Sequence, residues 1–509
     1  MRLKVTDDNN FLQVVDCAMN EIEQLEYSMT KKVDNFYIMK KKIPSWDGEI
    51  KYIDTYNRIP IGLWQEVCDM AVKFNISLHI DGLERIYDKL HDFTSFSTWA
   101  IDYFSESDKT PRDYRIEAAN RVLKFKKCTE EISTSGGKTL IAFLLFKYLL
   151  DIKKNGPMLY VVPSVSLVTQ SEEKFYEYED ECNKRPNWKS QCAFGGARHK
   201  EEGKVDIIFG TYQTLAKKPP EYFEQFGSIC IDETHHARNI SIKNILVRCI
   251  NANYKFGLTG TLPQKGSNDS FTIQAYIGPK VYTISSADLI ASGKATPINV
   301  IGIELNYLDD NIKKKLYDLR NVKSEDKDGA KLLNLEKDVA RESRKRFKYI
   351  VEKVASSKKN SLVLFSDIKN NYGRKIYDWI KMNTEKSVYY IDGGSDNSNR
   401  DYYKKQMELN DDTIIVASVG TFSEGIDILN LYNIFVVESY KSEFIVRQVL
   451  GRGMRLMEGK DKVMVIDFID NFEFGSGFQK KNYLMRHGED REKIYKEKRF
   501  PYKRFKVSI

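Results

Sequence analysis

Three groups of side chains in this 509-residue chain have the types and spacing to do chemistry. The first is Ser133-Thr134-Ser135-Gly136-Gly137-Lys138-Thr139, directly ahead of the apolar run LIAFLLFKYLL. Small residues and glycines let backbone N–H groups wrap a phosphate chain, and a helix N-terminus adds partial positive charge. Lys138 then suits the β- and γ-phosphates of a nucleotide, and the Thr139 hydroxyl suits Mg2+. Ile132 stands where a further glycine would complete the eight-residue phosphate-loop pattern, so a plain strand-to-helix turn is an equal reading of these residues.

The second group is Asp232-Glu233-Thr234-His235-His236, which follows the apolar run Ile229-Cys230-Ile231. Adjacent carboxylates at a strand end can divide the work of hydrolysis. Asp232 can hold Mg2+ and Glu233 can polarise the attacking water. An acidic helix N-cap explains the same residues. A metal site on His235 and His236 is disfavoured, because chain neighbours rarely converge on one ion.

The third group is Gln448-Val449-Leu450-Gly451-Arg452-Gly453-Met454-Arg455. On a helix, Arg452 and Arg455 share a face and could neutralise a transferring γ-phosphoryl group. A surface helix with paired salt bridges has the same pattern.

Such residues need strand ends to hold them. From Pro111 on, short β-branched runs alternate with helical stretches: MLYVVP, VDIIFG, SICID and YKFGLTG, then SLVLFS, SVYYIDG, TIIVAS, NIFVVES and VMVIDF. That rhythm predicts two α/β units with parallel sheets, whose ligands sit at the carboxyl ends of strands. The strand before the phosphate turn, CTEEIS, is polar for a buried position. Residues 1–105 alternate short β-prone runs with turns and predict a small α+β module. The expected organisation is therefore an accessory domain at 1–105, α/β domains at 106–285 and 286–475, and a basic helical segment at 476–509.

Composition sets the outer bounds. Apolar residues make up 41%, enough for several cores and too many for a disordered chain. The seven cysteines are scattered with no CxxC pair, which argues for a reducing compartment and against a zinc ribbon. The N-terminus lacks the apolar core of a signal peptide, and Leu140–Leu150 is far short of the ~20 residues that span a bilayer, so a soluble chain without a membrane partner is expected. The net charge is +8, and residues 480–509 hold eleven Lys or Arg against four Asp or Glu. A basic end on a near-neutral body suggests a polyanion partner, and a solvated helix face suits it as well.

Taken in order, these motifs resemble a superfamily 2 helicase of the DExH type over most of residues 111–475. STSGGKT is similar to motif I, YVVPSVSLVTQ to Ia, GTYQTL to Ib, DETHH to II, LTGT to III, LVLFS to IV, ASVGTFSEGIDI to V and QVLGRGMR to VI. The resemblance implies that the two α/β domains are RecA-like, with ATP and Mg2+ as cofactors held by Ser133 to Thr139 with Asp232, and Gly425 and Asp427 near the nucleotide. It implies Glu233, Lys138, Arg452, Arg455 and Gln448 as the catalytic set. Thr259, Thr261 and His235 would couple hydrolysis to motion, and Thr211 and Ser418 would meet the nucleic-acid backbone. Where such enzymes often read adenine with a Gln, this chain has Arg115. An arginine cannot accept from the adenine amino group, though it can stack on the base or donate to its ring nitrogens.

The flanks SWDGEIKYIDTYNRIPIGL and NYLMRHGEDREKIYKEKRFPYKRFKV, with KKPPEYFEQFGSICIDE, resemble the UvsW-like DNA helicases of T-even-type phages. That implies work on branched or forked DNA and R-loops, including RNA in hybrids, in recombination, repair and replication. It also implies single-stranded-DNA-binding or recombination proteins as partners and the cytoplasm of an infected bacterium as location. Lys40, Lys41 and Lys42 are further candidates for nucleic-acid grip, and a solvated strand edge explains them equally. A DExH-type RNA helicase and the motor subunit of a restriction system are the alternatives.

Overall fold

The structure is a computed structural model that describes residues 1–33, 45–107, 110–195, 205–309, 311–314, 316, 329–366, 370–423, 428–440, 449–473 and 481–509. The chain divides into two compact units, Met1–Ile284 and Ser285–Ile509.

The first unit opens with short strands β1 (Arg2–Val5), β2 (Phe11–Asp16), β3 (Thr30–Lys32), β4 (Glu49–Lys51), β5 (Arg58–Pro60) and β6 (His79–Asp81). They form a four-stranded mixed sheet in the order β5-β2-β1-β6 and a β3-β4 ladder. Seven parallel strands follow: β7 (Lys127–Ile132), β8 (Met158–Val162), β9 (Ser190–Ala193), β10 (Ile207–Thr211), β11 (Ser228–Asp232), β12 (Tyr254–Thr259) and β13 (Lys280–Ile284). Their order is β13-β7-β12-β11-β8-β10-β9. Side chains alternate across the sheet. Tyr160, Phe209 and Cys230 pack with Phe143, Phe146 and Phe175 on one face, while Leu159, Val161 and Ile231 pack with Ile242, Ile245 and Ile273 on the other. Both faces are covered, which is why these strands read as unbroken apolar runs.

β7 is the exception, and its polar residues are accommodated one by one. The Lys127 ammonium donates to the Asn9 carbonyl, Thr129 Oγ1 donates to Gly278 O at 3.2 Å, and Glu131 pairs with Lys280 at 3.1 Å. Glu130 alone is fully buried with no hydrogen-bond partner among the described residues.

The small N-terminal sheet is fastened to the large one. Lys255, at the start of β12, donates to Asn10 Oδ1 at 2.7 Å and to Leu246 O at 2.8 Å, and Asn10 Nδ2 donates to Val247 O at 2.8 Å. Tyr52 meets Thr272 through a 2.6 Å hydroxyl pair. A Cβ on Gly62 would lie 1.9 Å from Gln274 O, so only glycine permits this approach.

The second unit has seven parallel strands: β14 (Ile298–Asn306), β15 (Ser361–Phe365), β16 (Ser387–Ile391), β17 (Thr413–Ser418), β18 (Asn433–Val436), β19 (Val463–Asn471) and β20 (Tyr502–Ser508), in the order β16-β17-β15-β18-β19-β14-β20. The basic C-terminal segment supplies the helix Tyr483–Glu497 and then the edge strand β20, which pairs with β14. Much of its charge is engaged within the fold. Arg491, fully buried, forks onto Asp467 at 2.9 and 2.8 Å, and Arg504 meets Glu304 and Glu492 at 2.9 and 3.0 Å. Among the described residues no helix is long and apolar enough to cross a membrane.

Candidate nucleotide site

Because β7, β8, β10, β11 and β12 are parallel, the turns that follow them emerge at one edge of the first sheet. The phosphate-type turn connects β7 to the helix Lys138–Asp151. Its backbone is drawn tight by Gly136 N donating to Ser133 O at 2.8 Å and Ser133 N to Ile284 O at 3.1 Å. Gly137 has φ +91°, and a Cβ there would sit 2.5 Å from Arg115 Nε. Glycine is thus required twice over, by backbone conformation and by the guanidinium lying against it.

Arg115 Nε and the Tyr114 hydroxyl both donate to Gly136 O, at 3.0 and 2.8 Å. Arg115, expected at the base, therefore spends one donor on the loop carbonyl. Thr139 is half-buried in the first turn of the helix.

Lys138 points across to the second group. Its ammonium is 2.9 Å from Glu233 Oε1. Glu233 Oε2 lies 3.4 Å from both His235 Nδ1 and Thr259 Oγ1, which are themselves 3.2 Å apart. Thr261 N donates to Thr259 Oγ1 at 3.3 Å. Gly260 between them is packed against the phosphate-type turn, since a Cβ there would be 3.1 Å from Thr134 Oγ1. Lys138, Glu233, His235, Thr259 and Thr261 are thus one connected cluster.

Asp232 closes β11 and is nearly buried. Its Oδ1 accepts the Glu233 N–H at 2.8 Å, and its Oδ2 accepts the Tyr160 hydroxyl at 3.1 Å. Glu233 is left at φ +50°, a left-handed conformation that costs a non-glycine residue energy. The turn is held by Thr234, whose Oγ1 bridges Ile231 O and Leu258 O at 3.0 Å each.

The electrostatics follow from this packing. Burial alone would raise the Glu233 carboxyl, but the Lys138 ammonium and His235 overcome it and hold Glu233 well below the usual carboxylate range. Burial and the neighbouring Glu233 push Asp232 up, against the pull of Lys138. Burial, with His235 and Arg238, pushes His236 down to about 4, so its ring is neutral at pH 7. Its ring lies 6.4 Å from that of Tyr212.

For a magnesium nucleotide the donor chemistry fits. Asp232 and Thr139 offer hard oxygens beside a cation and a helix N-terminus. No group of three or more His, Cys, Asp or Glu able to hold a metal occurs among the described residues.

The arginine element belongs to the second unit. The sequence reading put Arg452 and Arg455 on one helix face, and here the structure differs. The described helical residues run 449–453, so Arg452 is helical and Arg455 lies beyond the end. The physical reason is capture of the next two carbonyls from outside the helix: Thr296 N and Oγ1 donate to Met454 O and Arg455 O at 2.7 and 2.8 Å.

Thr211 and Ser418 are nearly buried. Their hydroxyls meet Thr214 Oγ1 and Thr421 Oγ1 at 3.1 and 2.7 Å, within the helical turns that follow β10 and β17. Gln448, Gly425, Asp427, Lys40, Lys41 and Lys42 lie outside the described residues. Tyr114, Tyr160 and Thr234 belong to the site, yet sequence reasoning did not single them out. Tyr160 left one signal, a hydroxyl inside the otherwise apolar run MLYVV.

Comparison with known proteins agrees with this architecture. Residues 108–264 match the family described as the type III restriction enzyme, res subunit. The ATP-dependent DNA helicase uvsW of Enterobacteria phage T4 is 30% identical over 510 aligned positions, covering 96% of each chain. The DNA 3'-5' translocase XPB2 of Sulfurisphaera tokodaii is 25% identical over 69% of this chain and 79% of its own. Among solved structures, the ATP-dependent Type ISP restriction-modification enzyme LlaBIII bound to DNA aligns with TM-score 0.56 at 16% identity, over 79% of this chain and 32% of its own. That likeness is one of fold.

Proposed function

The chain belongs to the UvsW-type ATP-dependent helicases of superfamily 2, enzymes that hydrolyse ATP to work on nucleic acid, and from that premise we propose that it remodels branched DNA. Forks, four-way junctions and R-loops are the substrates, in recombination, repair and replication, within the cytoplasm of an infected bacterium. Single-stranded-DNA-binding and recombination proteins are the expected company.

The observation that carries the mechanism is the contact between Lys138 and Glu233, 2.9 Å apart at the ends of the phosphate-type turn and the acidic strand. Backbone N–H groups of Thr134, Ser135 and Gly137 and the helix N-terminus bind the phosphate chain. Lys138 leaves Glu233 for the β- and γ-phosphates. Glu233, relieved of its cation, accepts the proton of the attacking water. Asp232 and Thr139 would hold Mg2+, which supplies neutralisation of phosphate charge when bound. Arg452 and Arg455 stabilise charge on the transferring phosphoryl group. Thr259 touches Glu233, Thr261 bonds Thr259, and Gly260 between them packs on the phosphate-type turn, which suits a coupling role for this segment. Contacts to the nucleic-acid backbone carry little sequence information, so selection is by structure.

The test is ATPase and strand displacement across forks, four-way junctions, R-loops and RNA duplexes. Branched DNA should stimulate turnover most, and Lys138→Ala should abolish it. Preferential stimulation by RNA duplexes would overturn the DNA assignment.

A further inference from the structure

One buried lysine of the second unit lies next to the arginine element without forming part of any motif. Lys460 is 7% exposed. Its Nζ donates to Leu429 O at 2.9 Å, Gly453 O at 2.8 Å and Arg455 O at 3.2 Å. These carbonyls come from two separate stretches. Leu429 directly follows ASVGTFSEGIDI, and Gly453 and Arg455 belong to QVLGRGMR. A helix end leaves its last carbonyls without intrahelical donors, and a cation there meets both their lone pairs and the negative end of the helix dipole. One ammonium can serve three acceptors, because it carries three donors on a compact head. Thr296 holds the same turn from β14's side, with Oγ1 on Arg455 O at 2.8 Å and N on Met454 O at 2.7 Å. The backbone of Arg455 is therefore pinned from two directions, and its carbonyl fixes where its side chain starts.

We propose that Lys460 is a positioning residue for hydrolysis, which sets Arg455, and through Gly453 also Arg452, in register with Leu429. This rests on the reading of those arginines as the groups that stabilise the transferring phosphoryl. Lys460 touches no reacting atom. Its removal lets the turn after residue 453 relax, and displacement of a catalytic group by about 1 Å costs on the order of 100-fold in rate.

The experiment compares Lys460→Met, Lys460→Arg and Thr296→Val in the full chain with Arg455→Ala and Arg452→Ala. Two readouts separate positioning from general damage: affinity for ADP, and affinity for ADP with aluminium fluoride, which mimics the transferring phosphoryl. Lys460→Met should lower kcat about 10- to 100-fold. It should weaken the aluminium fluoride complex by a similar factor and leave ADP affinity within about twofold. Lys460→Arg, which keeps charged donors, should recover most of the loss. Thr296→Val removes one hydroxyl and should give a few-fold effect of the same pattern, which keeps the test open if Lys460→Met does not fold. Wild-type affinity for the aluminium fluoride complex in Lys460→Met or Thr296→Val, alongside a loss in the arginine variants, overturns the inference alone. No loss in either arginine variant overturns the reading on which it rests.

Discussion

Lys138 Nζ stands 2.9 Å from Glu233 Oε1, so the cation proposed for phosphate and the carboxylate proposed for water activation neutralise each other. The pair is largely shielded from solvent, with side-chain exposures of 12% and 15%. A phosphate chain drawn to Lys138 would therefore compete with an existing charge-assisted contact.

Glu233→Gln should separate binding from hydrolysis for that reason. The amide competes less well for the ammonium, so nucleotide affinity should rise several-fold. Loss of the base should lower kcat by about 100-fold or more. Equilibrium binding of a fluorescent ATP analogue and steady-state turnover check the two halves separately. Weaker binding in the variant would show that the Lys138–Glu233 contact does not oppose the nucleotide.

Tyr160 gives a prediction about the metal. Its hydroxyl fixes Asp232 Oδ2 while the backbone N–H of Glu233 fixes Oδ1. Groups that orient a ligand from behind typically change metal affinity by about 10- to 100-fold when removed. Tyr160→Phe keeps the edge-on and tilted ring contacts with Phe175 and Phe209 and removes only the hydroxyl. The Mg2+ concentration for half-maximal ATPase should rise about tenfold, with a parallel loss of Mn2+ affinity by electron paramagnetic resonance. An unchanged titration in both would remove Tyr160 from the site.

The strands that carry motifs, β7 excepted, were legible because each is buried on both faces and so is written in apolar residues. The cluster around Glu233 was legible as types and order, but its connections were not. Nothing in LTGT states that Thr259 will meet the carboxylate of Glu233, because that contact comes from the pairing of β11 with β12. β7 read as too polar, since its lysine, threonine and Glu131 find partners only in distant segments. β20 was hidden for the opposite reason. It is an edge strand rich in Lys and Arg, and its arginine partners Glu304 and Glu492 are set by the tertiary fold. The helical spacing of Arg452 and Arg455 failed at the second residue, because Lys460 and Thr296 end the helix from outside it.

The attachment of the N-terminal sheet can be tested at Asn10. Its amide joins two elements, accepting from Lys255 at 2.7 Å and donating to Val247 O at 2.8 Å. Asn10→Ala leaves a fully buried ammonium with one fewer acceptor, a loss of about 1.5–3 kcal/mol for a hydrogen bond to a charged group. Thermal unfolding should shift down, and hydrogen exchange should quicken in β1, β2 and the start of β12 together. Faster exchange confined to β1 and β2 would mean that the small sheet opens independently of the large one.

Glu130 supplies the prediction on pH. Burial, and then the nearby Glu117, pushes its carboxyl well above the model-peptide value of 4.5, against a smaller pull from Arg121. Tyr282, Cys230 and Cys128 also face it, and each is itself shifted in the direction burial dictates, upward. A carboxyl whose pKa is raised on folding favours the native state fully at pH below 4.5. That advantage fades as pH climbs toward the folded value, because the native state must then hold a proton that the unfolded chain has released. At neutral pH the residue is thus a burden that an apolar replacement of similar length removes. Glu130→Met should raise stability at pH 7 by about 1–3 kcal/mol, the usual cost of a buried polar group without a partner. The gap over wild type should shrink as pH falls toward 4.5. Thermal unfolding of both proteins across pH 5–8 measures it, and a gap that is constant or widens at low pH would mean that Glu130 finds a partner or stays ionised in the folded chain.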